Sequence, residues 1–473
     1  MKLHNTLTKQ LDDITPLDGK TFRMYTCGPT VYNHAHIGNL GSYIFADTLR
    51  RALQLTGSEV KHAMNYTDVD DKTIRRSREQ FADLEPREAL RKLTDHYIDI
   101  FLNDLKQVGY DVAATQFIRA TDEQTIAGMQ ALITGLHSRG FAYIADDGVY
   151  FSIEAYRKSG KTYGQLLEIA ASNTSAARIQ NDEYDKESVH DFALWKTQKA
   201  GEPAWEFILD GQDLAGRPGW HIECSVMSRQ ALGQPFDIHT GGIDLIFPHH
   251  ENEIAQSTAL EDSALMASVF AHCDHMLVDG KKMSKSANNF YTLQDIIDKG
   301  FDPLAFRLLV LQSHYKSQTH FSWESLEAAA NRLNDIRAWA DLRWQPKTDV
   351  MPHELDELFK STREDIQRAI QNDLNTPAAL VALGKLMDYM SNIPIPGVEG
   401  KYTDGTLAFL DAVFGLNISN RPDITSEQKQ LIAEREAARE TKDWAKSDQL
   451  RDQLQGQGIG LRDTPHGPIW HRL

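Results

Sequence analysis

The chain has 473 residues, 41% of them hydrophobic and 25% charged, with a net charge of −17. That balance is ordinary for a globular protein of about two to four domains at roughly 150 residues each. It excludes a membrane protein built on apolar runs of ~18 residues, a disulfide framework, since only three cysteines occur, and a chain that is basic overall, although RNA binding needs no more than a local basic stripe.

The opening Met1-Lys2-Leu3-His4-Asn5-Thr6 lacks an apolar signal core, and the expected location is the cytoplasm. Thr21 to Cys27 reads as a strand entering the Gly28-Pro29 turn. Ile37, Ile44, Phe45, Leu49 and Leu53 recur at helical spacing up to Gly57, and Glu59 to Tyr66 reads as a second strand. Strand, helix, strand is a βαβ unit, so the fold class is α/β with a parallel sheet. Residues 85–140 read as helical, with Arg75, Arg76, Arg78, Arg91 and Lys92 as solvated helix faces that could form a basic stripe. Gly148 to Ser152 reads as a short strand. Residues 158–190 are polar and aperiodic, as in an insertion. The sheet pattern resumes from Trp205, and Phe236-Asp237-Ile238-His239 is a strand running into Thr240-Gly241-Gly242.

Beyond residue 320 the period is helical. Leu326, Ala329, Leu333 and Ile336 share one face, Leu355, Phe359, Ile366 and Ile370 another, and Leu380, Leu383, Met387 and Met390 a third. Thr376 is a suitable N-cap before Pro377. Residues 392–405, rich in Gly and Pro, resemble a linker. Helices from Glu427 and over Trp444–Leu454 then lead into a hairpin turning at Pro465-His466-Gly467. The expected division is 1–118 and 205–275 for the two halves of the sheet domain, 119–204 for an insertion, 276–320 for a connecting region, 321–400 for a helical bundle, and 401–473 for a linker and small end domain.

Two constellations carry chemistry. Cys27, Cys224, His249 and Glu253 supply two soft thiolates, a borderline imidazole and a carboxylate, a donor set that suits zinc. His249 and Glu253 are four apart, on one face of a helix that Pro248 could open. Spacing does not choose between His249 and His250, which is three residues from Glu253, nor does it dismiss Cys273 and His275. Isolated cysteines are also more often small buried hydrophobes than ligands. The second constellation binds phosphate. His36-Ile37-Gly38-Asn39 opens a helix directly after a strand, where free N–H groups and the positive dipole end attract anions and Gly38 admits a ligand to the backbone. Lys282-Met283-Ser284-Lys285-Ser286 follows Gly280, and its two ammonium groups can neutralise a departing pyrophosphate. Gly241, Gly242 and Asp244 can take the base and ribose of a nucleotide.

In this order the motifs resemble the class I aminoacyl-tRNA synthetases and, within them, the cysteinyl-tRNA synthetases. Cys27-Gly28-Pro29-Thr30-Val31-Tyr32, His36-Ile37-Gly38-Asn39, Thr67-Asp68-Val69-Asp70-Asp71-Lys72, Asp191 to Lys196, Trp220 to Cys224, Phe247 to Gln256, Lys282 to Ser286 and Asn375-Thr376-Pro377 all carry the likeness, which runs nearly end to end. The resemblance implies a Rossmann-like catalytic domain with an insertion, followed by a helical bundle and a small C-terminal anticodon-binding domain. It implies one Zn2+ held by Cys27, Cys224, His249 and Glu253, and Mg2+ with ATP. It places Cys27, Gly28, Thr67, Trp220 and His239 at the amino acid. His36, Gly38, Asn39, Gly241, Gly242, Asp244, Lys282, Ser284 and Lys285 fall to ATP, with His36, Asn39, Lys282 and Lys285 catalytic. The implied partners are L-cysteine, ATP and tRNA(Cys), with no membrane and a monomeric chain.

One departure from the family pattern stands at Thr240, where Gly is usual. At the far end, Trp470, His471 and Arg472 offer stacking and charge to RNA, with Trp470 as plain core the competing reading. Two other functions fit part of the pattern: a ligase joining activated cysteine to a small amine, which would not need the residues after 400, and an inactive RNA-binding paralogue, which would not need His36, Gly38, Lys282 and Lys285.

Overall fold

Short β-rich runs assemble a five-stranded sheet from β1 (Thr21–Thr26), β2 (Glu59–Tyr66), β3 (Thr115–Arg119), β4 (Phe236–Gly242) and β5 (Ala267–Cys273), in the order β5-β4-β1-β2-β3. Every pairing is parallel. In this computed structural model the described residues are 1–167, 174–178, 189–260, 265–282, 289–345, 353–392, 400–464 and 467–473. They divide into two units: 1–299 with 315–320, and 300–314 with 321–473.

The chain leaves β1 through helix α1 (Ile37–Gln54) to β2 and β3 on one side, then returns to β4 on the other. The strand order reverses between β1 and β4, and the carboxyl ends of strands at such a reversal leave a crevice where ligands bind. β4 is buried from Phe236 to Gly241, as expected for a central strand covered on both faces.

The stretch from 85 to 140 is not all helix: β3 interrupts it between helices Pro86–Gln107 and Glu123–Ser138. β3 is an edge strand, mostly half-exposed, so Gln116 and Arg119 dilute the apolar alternation that would reveal it. The strands after Trp205 also do not belong to the parallel sheet. Gly216–Pro218 pairs antiparallel with Val189–Thr197, in a separate sheet that includes Ala142–Ala145 and Gly148–Phe151. The parallel sheet resumes only at Phe236.

In the second unit, helices Trp323–Ala340, His353–Gln371 and Thr376–Asn392 bury the stripes expected of them, except that Leu386 rather than Met387 is fully inside. The cap of the third helix is Asn375, whose Oδ1 accepts from the Ala378 N–H at 3.0 Å. The linker expected over 392–405 is shorter than the sequence suggests, because helix Gly400–Phe414 already covers 400–405. Strands Ile459–Thr464 and Gly467–Arg472 pair antiparallel. The Pro465-His466 turn between them lies outside the described residues.

Candidate active site and metal centre

Cys27 follows the last residue of β1. The period of two along a strand puts Tyr25 and Cys27 on one face. Helix α2 (Trp220–Leu232) begins with Trp220 and brings Cys224 round one turn later. An irregular helical turn, Ile246–His250, leads into helix α3 (Glu251–Ala259). The helix proper thus starts at Glu251, later than Pro248, yet the spacing of four still holds His249 Nε2 3.0 Å from Glu253 Oε1.

Cys27 Sγ lies 3.7 Å from Cys224 Sγ and 3.6 Å from Glu253 Oε1. The two thiols are free and buried. The donor atoms of Cys27, Cys224, His249 and Glu253 all lie within 4.8 Å of one another, so the four can hold one metal ion. A second set, Cys27, His239, His250 and Glu253, meets the same criterion. His250 Nε2 is 3.5 Å from Cys27 Sγ, and His239 Nε2 is 2.9 Å from Glu253 Oε2. The His249–His250 ambiguity of the sequence is therefore real in space: the two imidazoles flank the same sulfur and carboxylate. Cys273 stands apart, its thiol against Ser42 Oγ at 3.4 Å and the Gly241 carbonyl at 3.7 Å.

The electrostatics of the cluster favour a cation. Burial opposes the Glu253 carboxylate, but His239 and His249 outweigh it and hold its pKa at about 2. Burial also opposes a charged His249, yet Glu253 and Cys224 raise it to about 10. Burial resists the Cys224 thiolate too; its hydrogen bond with Cys27 and the neighbouring His249 bring it down to about 6.

The elements expected to bind phosphate stand at the same switch point. His36 is the N-cap of α1: its Nδ1 accepts from the Asn39 N–H at 3.1 Å, and Asn39 Oδ1 accepts from the His36 N–H at 3.4 Å. Because Nδ1 accepts, the proton of the neutral ring sits on Nε2, which is a donor. Asn39 thus closes a capping box. The segment after the lysine motif docks here, with the Ile37 N–H donating to the Tyr291 carbonyl at 2.9 Å and Phe290 edge-on to the His36 ring. Lys281–Lys282 is a short strand paired with Met276–Val278; Ser284 and Lys285 lie outside the described residues. At the end of β4, a Cβ on Gly242 would meet Asp244 Oδ1 at 2.6 Å, so a side chain there would turn the carboxylate aside. Thr67 directly follows β2 and is buried, while Trp220 and Gly28 are half-buried. The Trp220 ring lies 4.3 Å from that of His249. His239 is fully buried beneath Glu253.

Known proteins place the chain. A family model described as tRNA synthetases class I (C) catalytic domain matches residues 13–331, and one described as Cysteinyl-tRNA ligase anticodon binding domain matches 421–470. The cysteine–tRNA ligase of Leptospira interrogans serogroup Icterohaemorrhagiae serovar Lai is 37% identical over 100% of this chain and 99% of its own length. That of Brachyspira hyodysenteriae is 40% identical over 99% and 98%. The chain belongs to the cysteine–tRNA ligase family. The fold agrees: Mycobacterium tuberculosis methionyl-tRNA synthetase in complex with methionyl-adenylate superposes with a TM-score of 0.61 at 14% identity, covering 84% of this chain and 92% of that one.

Within this cysteine–tRNA ligase fold, several residues beside the cluster escaped sequence reasoning. His221 Nδ1 lies 2.8 Å from His249 Nδ1, and His250 Nδ1 lies 2.8 Å from His272 Nε2. Tyr25 buries its hydroxyl by the two cysteines. The only sequence signal for these was position: His221 is three residues before Cys224, and Tyr25 two before Cys27. Thr240 is also accounted for. It points to the sheet face opposite His239, where its hydroxyl meets Thr26 Oγ1 at 2.7 Å, and Thr26 in turn meets His62 Nε2 at 2.8 Å. It adds nothing to the cluster side. Trp470 is core: it is buried with Leu431, Leu450, Leu454 and Ile459, and its backbone pairs with the Gln345 side chain.

Proposed function

We propose that the chain is a cysteine–tRNA ligase that activates L-cysteine with ATP and transfers the cysteinyl group to tRNA(Cys). The observation that carries this reading is the gathering of two thiols, an imidazole and a carboxylate at the end of β1, the strand at the switch point of the sheet from which the chain runs into α1. The donor geometry fits zinc. Tetrahedral zinc with Zn–S near 2.3 Å sets two sulfurs about 3.8 Å apart, and sulfur and carboxylate oxygen about 3.6 Å apart; the distances here are 3.7 and 3.6 Å. Cys27, Cys224, His249 and Glu253 are the preferred ligands, because the set with His239 and His250 contains one soft donor instead of two. When bound, the ion supplies affinity for a thiolate that the hydroxyl of serine lacks.

The chain's own groups do the rest. Gly28, Thr67 and Trp220 flank the amino acid, and His239 orients Glu253. The amino-acid carboxylate attacks the α-phosphate of ATP, and the His36 Nε2–H and the α1 N-terminus donate to the phosphate oxygens. Gly241, Gly242 and Asp244 hold the adenosine, while Lys282, Ser284 and Lys285, with Mg2+, hold the pyrophosphate. The decisive experiment is ATP–pyrophosphate exchange on the cobalt-substituted enzyme. Added cysteine intensifies the sulfur-to-cobalt charge-transfer band and supports exchange; serine does neither. A spectrum indifferent to cysteine removes the metal from substrate choice. Absent exchange favours the inactive RNA-binding paralogue.

The match of residues 421–470 to an anticodon-binding domain favours a tRNA acceptor over a small amine. Since Trp470 is core, the base-stacking group we assign is Trp444, 58% exposed at the start of helix Trp444–Gly456. Stacking of a base on an aromatic ring contributes roughly 1–3 kcal/mol. Trp444→Ala is therefore expected to raise the KM for tRNA by about 5- to 100-fold with cysteine-dependent exchange unchanged. Equal loss of both activities would make Trp444 a structural residue.

A further inference from the structure

Asn65 is the penultimate residue of β2, buried, and outside every motif role assigned above. Its Oδ1 accepts from the Gly28 N–H at 2.7 Å, and its Nδ2 donates to Thr67 Oγ1 at 3.2 Å. The assignment of the amide is forced. A backbone N–H can only donate, so the oxygen faces Gly28 and the nitrogen faces Thr67. One side chain thus ties the segment that leaves β1, with Cys27 and Gly28, to the residue that follows β2. The backbone repeats the tie: the Thr67 N–H donates to the Pro29 carbonyl at 3.0 Å and the Val31 N–H to the Thr67 carbonyl at 3.1 Å. The approach is so close that a Cβ on Gly28 would fall 1.7 Å from the Asn65 carbonyl oxygen.

We propose that Asn65 is a positioning residue for the amino-acid substrate: it fixes the spacing between the Cys27–Gly28 wall and Thr67, and it fixes the polarity of the Thr67 hydroxyl. Because Nδ2 has no lone pair to offer, the hydroxyl must accept from Asn65 and keeps its own proton for another acceptor. A hydrogen-bonding group of the substrate therefore meets Thr67 in one set orientation. The Glu223 carboxyl beside Thr67 does not undo this. It lies near enough to that hydroxyl for Thr67 to favour its charged form, yet neither of its oxygens makes a hydrogen bond among the described residues. The inference rests on the proposed placement of Thr67 at the amino acid.

The test is a double-mutant cycle read by the KM and kcat of cysteine-dependent pyrophosphate exchange at pH 8. Asn65→Asp keeps an acceptor for the Gly28 N–H, but its carboxylate takes the Thr67 proton instead of giving one. A hydrogen bond to a charged partner contributes on the order of a tenfold effect or more. In the wild-type background Asn65→Asp is expected to raise the KM for cysteine about tenfold, with kcat within about threefold and the cobalt spectrum unchanged. In the Thr67→Val background the same change is expected to alter KM by less than about twofold, whereas Thr67→Ser keeps the full effect. An equal cost in both backgrounds, or no cost in the first, overturns the role of Asn65. If Thr67→Val alone leaves KM unchanged, it is the placement of Thr67 that fails. The same cycle with Asn65→Ala serves if the aspartate variant does not fold.

Discussion

Cys224→Ala is expected to leave the purified protein with almost no bound zinc and to lower cysteine-dependent pyrophosphate exchange by roughly a thousandfold or more. Binding of zinc by a four-ligand site is worth about 10–16 kcal/mol in small peptides, so one thiolate accounts for several kcal/mol of it. Cys224 is 1% exposed and 3.7 Å from Cys27, and a water filling the place of its sulfur would be a neutral and weaker ligand than thiolate. Alanine also leaves a void of one atom, which Cys224→Ser controls for, because serine fills the volume with a poorer ligand. Metal analysis and thermal denaturation separate the two effects: the loss of zinc is expected in both variants, the loss of packing only in the first. The result also decides between the two overlapping donor sets. If Cys224→Ala retains one zinc per chain and His250→Ala loses it, the ion sits among Cys27, His239, His250 and Glu253, and the preferred assignment is wrong.

How far the sequence revealed this site depended on what each signal measures. The central strands and α1 were legible because burial fills them with apolar residues, in β4 on both faces and in α1 at Ile37, Ile44, Phe45, Leu49 and Leu53. β3 was not, because an edge strand has half its surface in water and can carry Gln116 and Arg119 without cost. The strands after Trp205 were legible as strands, but sheet membership is set by pairing partners far away in the chain, here Val189–Thr197. The same limit applied to the metal centre. Residue chemistry showed that Cys27, Cys224, His249 and Glu253 could be donors, and the family likeness said that they meet. Only packing reveals that His250 reaches the same sulfur from the other side, since neighbours on a helical turn diverge by ~100° and either one can face a given point. Asn65 lay outside reach for a related reason: a buried amide joining two strand ends has no periodic signature.

Lys285→Ala is expected to slow cysteinyl adenylate formation by about 100- to 1000-fold while changing the Kd for cysteine by less than about twofold. The direction follows from what flanks it in the chain. Lys282 closes a strand paired with Met276–Val278, and downstream Tyr291 meets Ile37 at the first turn of α1. Both flanks are thus held on the unit that carries the helix N-terminus. An ammonium group there can meet charge that grows on the departing pyrophosphate, and the loss of one such preorganised donor typically costs 10²–10³ in rate. Cys27 and Thr67, the residues proposed to meet the amino acid, lie just past the ends of β1 and β2, so cysteine binding is not expected to weaken. Single-turnover formation of the adenylate, measured beside equilibrium binding of cysteine, separates the two quantities. A parallel loss in both would mean that the loop shapes the amino-acid pocket as well. Lys285 would then act before chemistry, through closure of the site over both substrates, rather than on the phosphoryl charge alone.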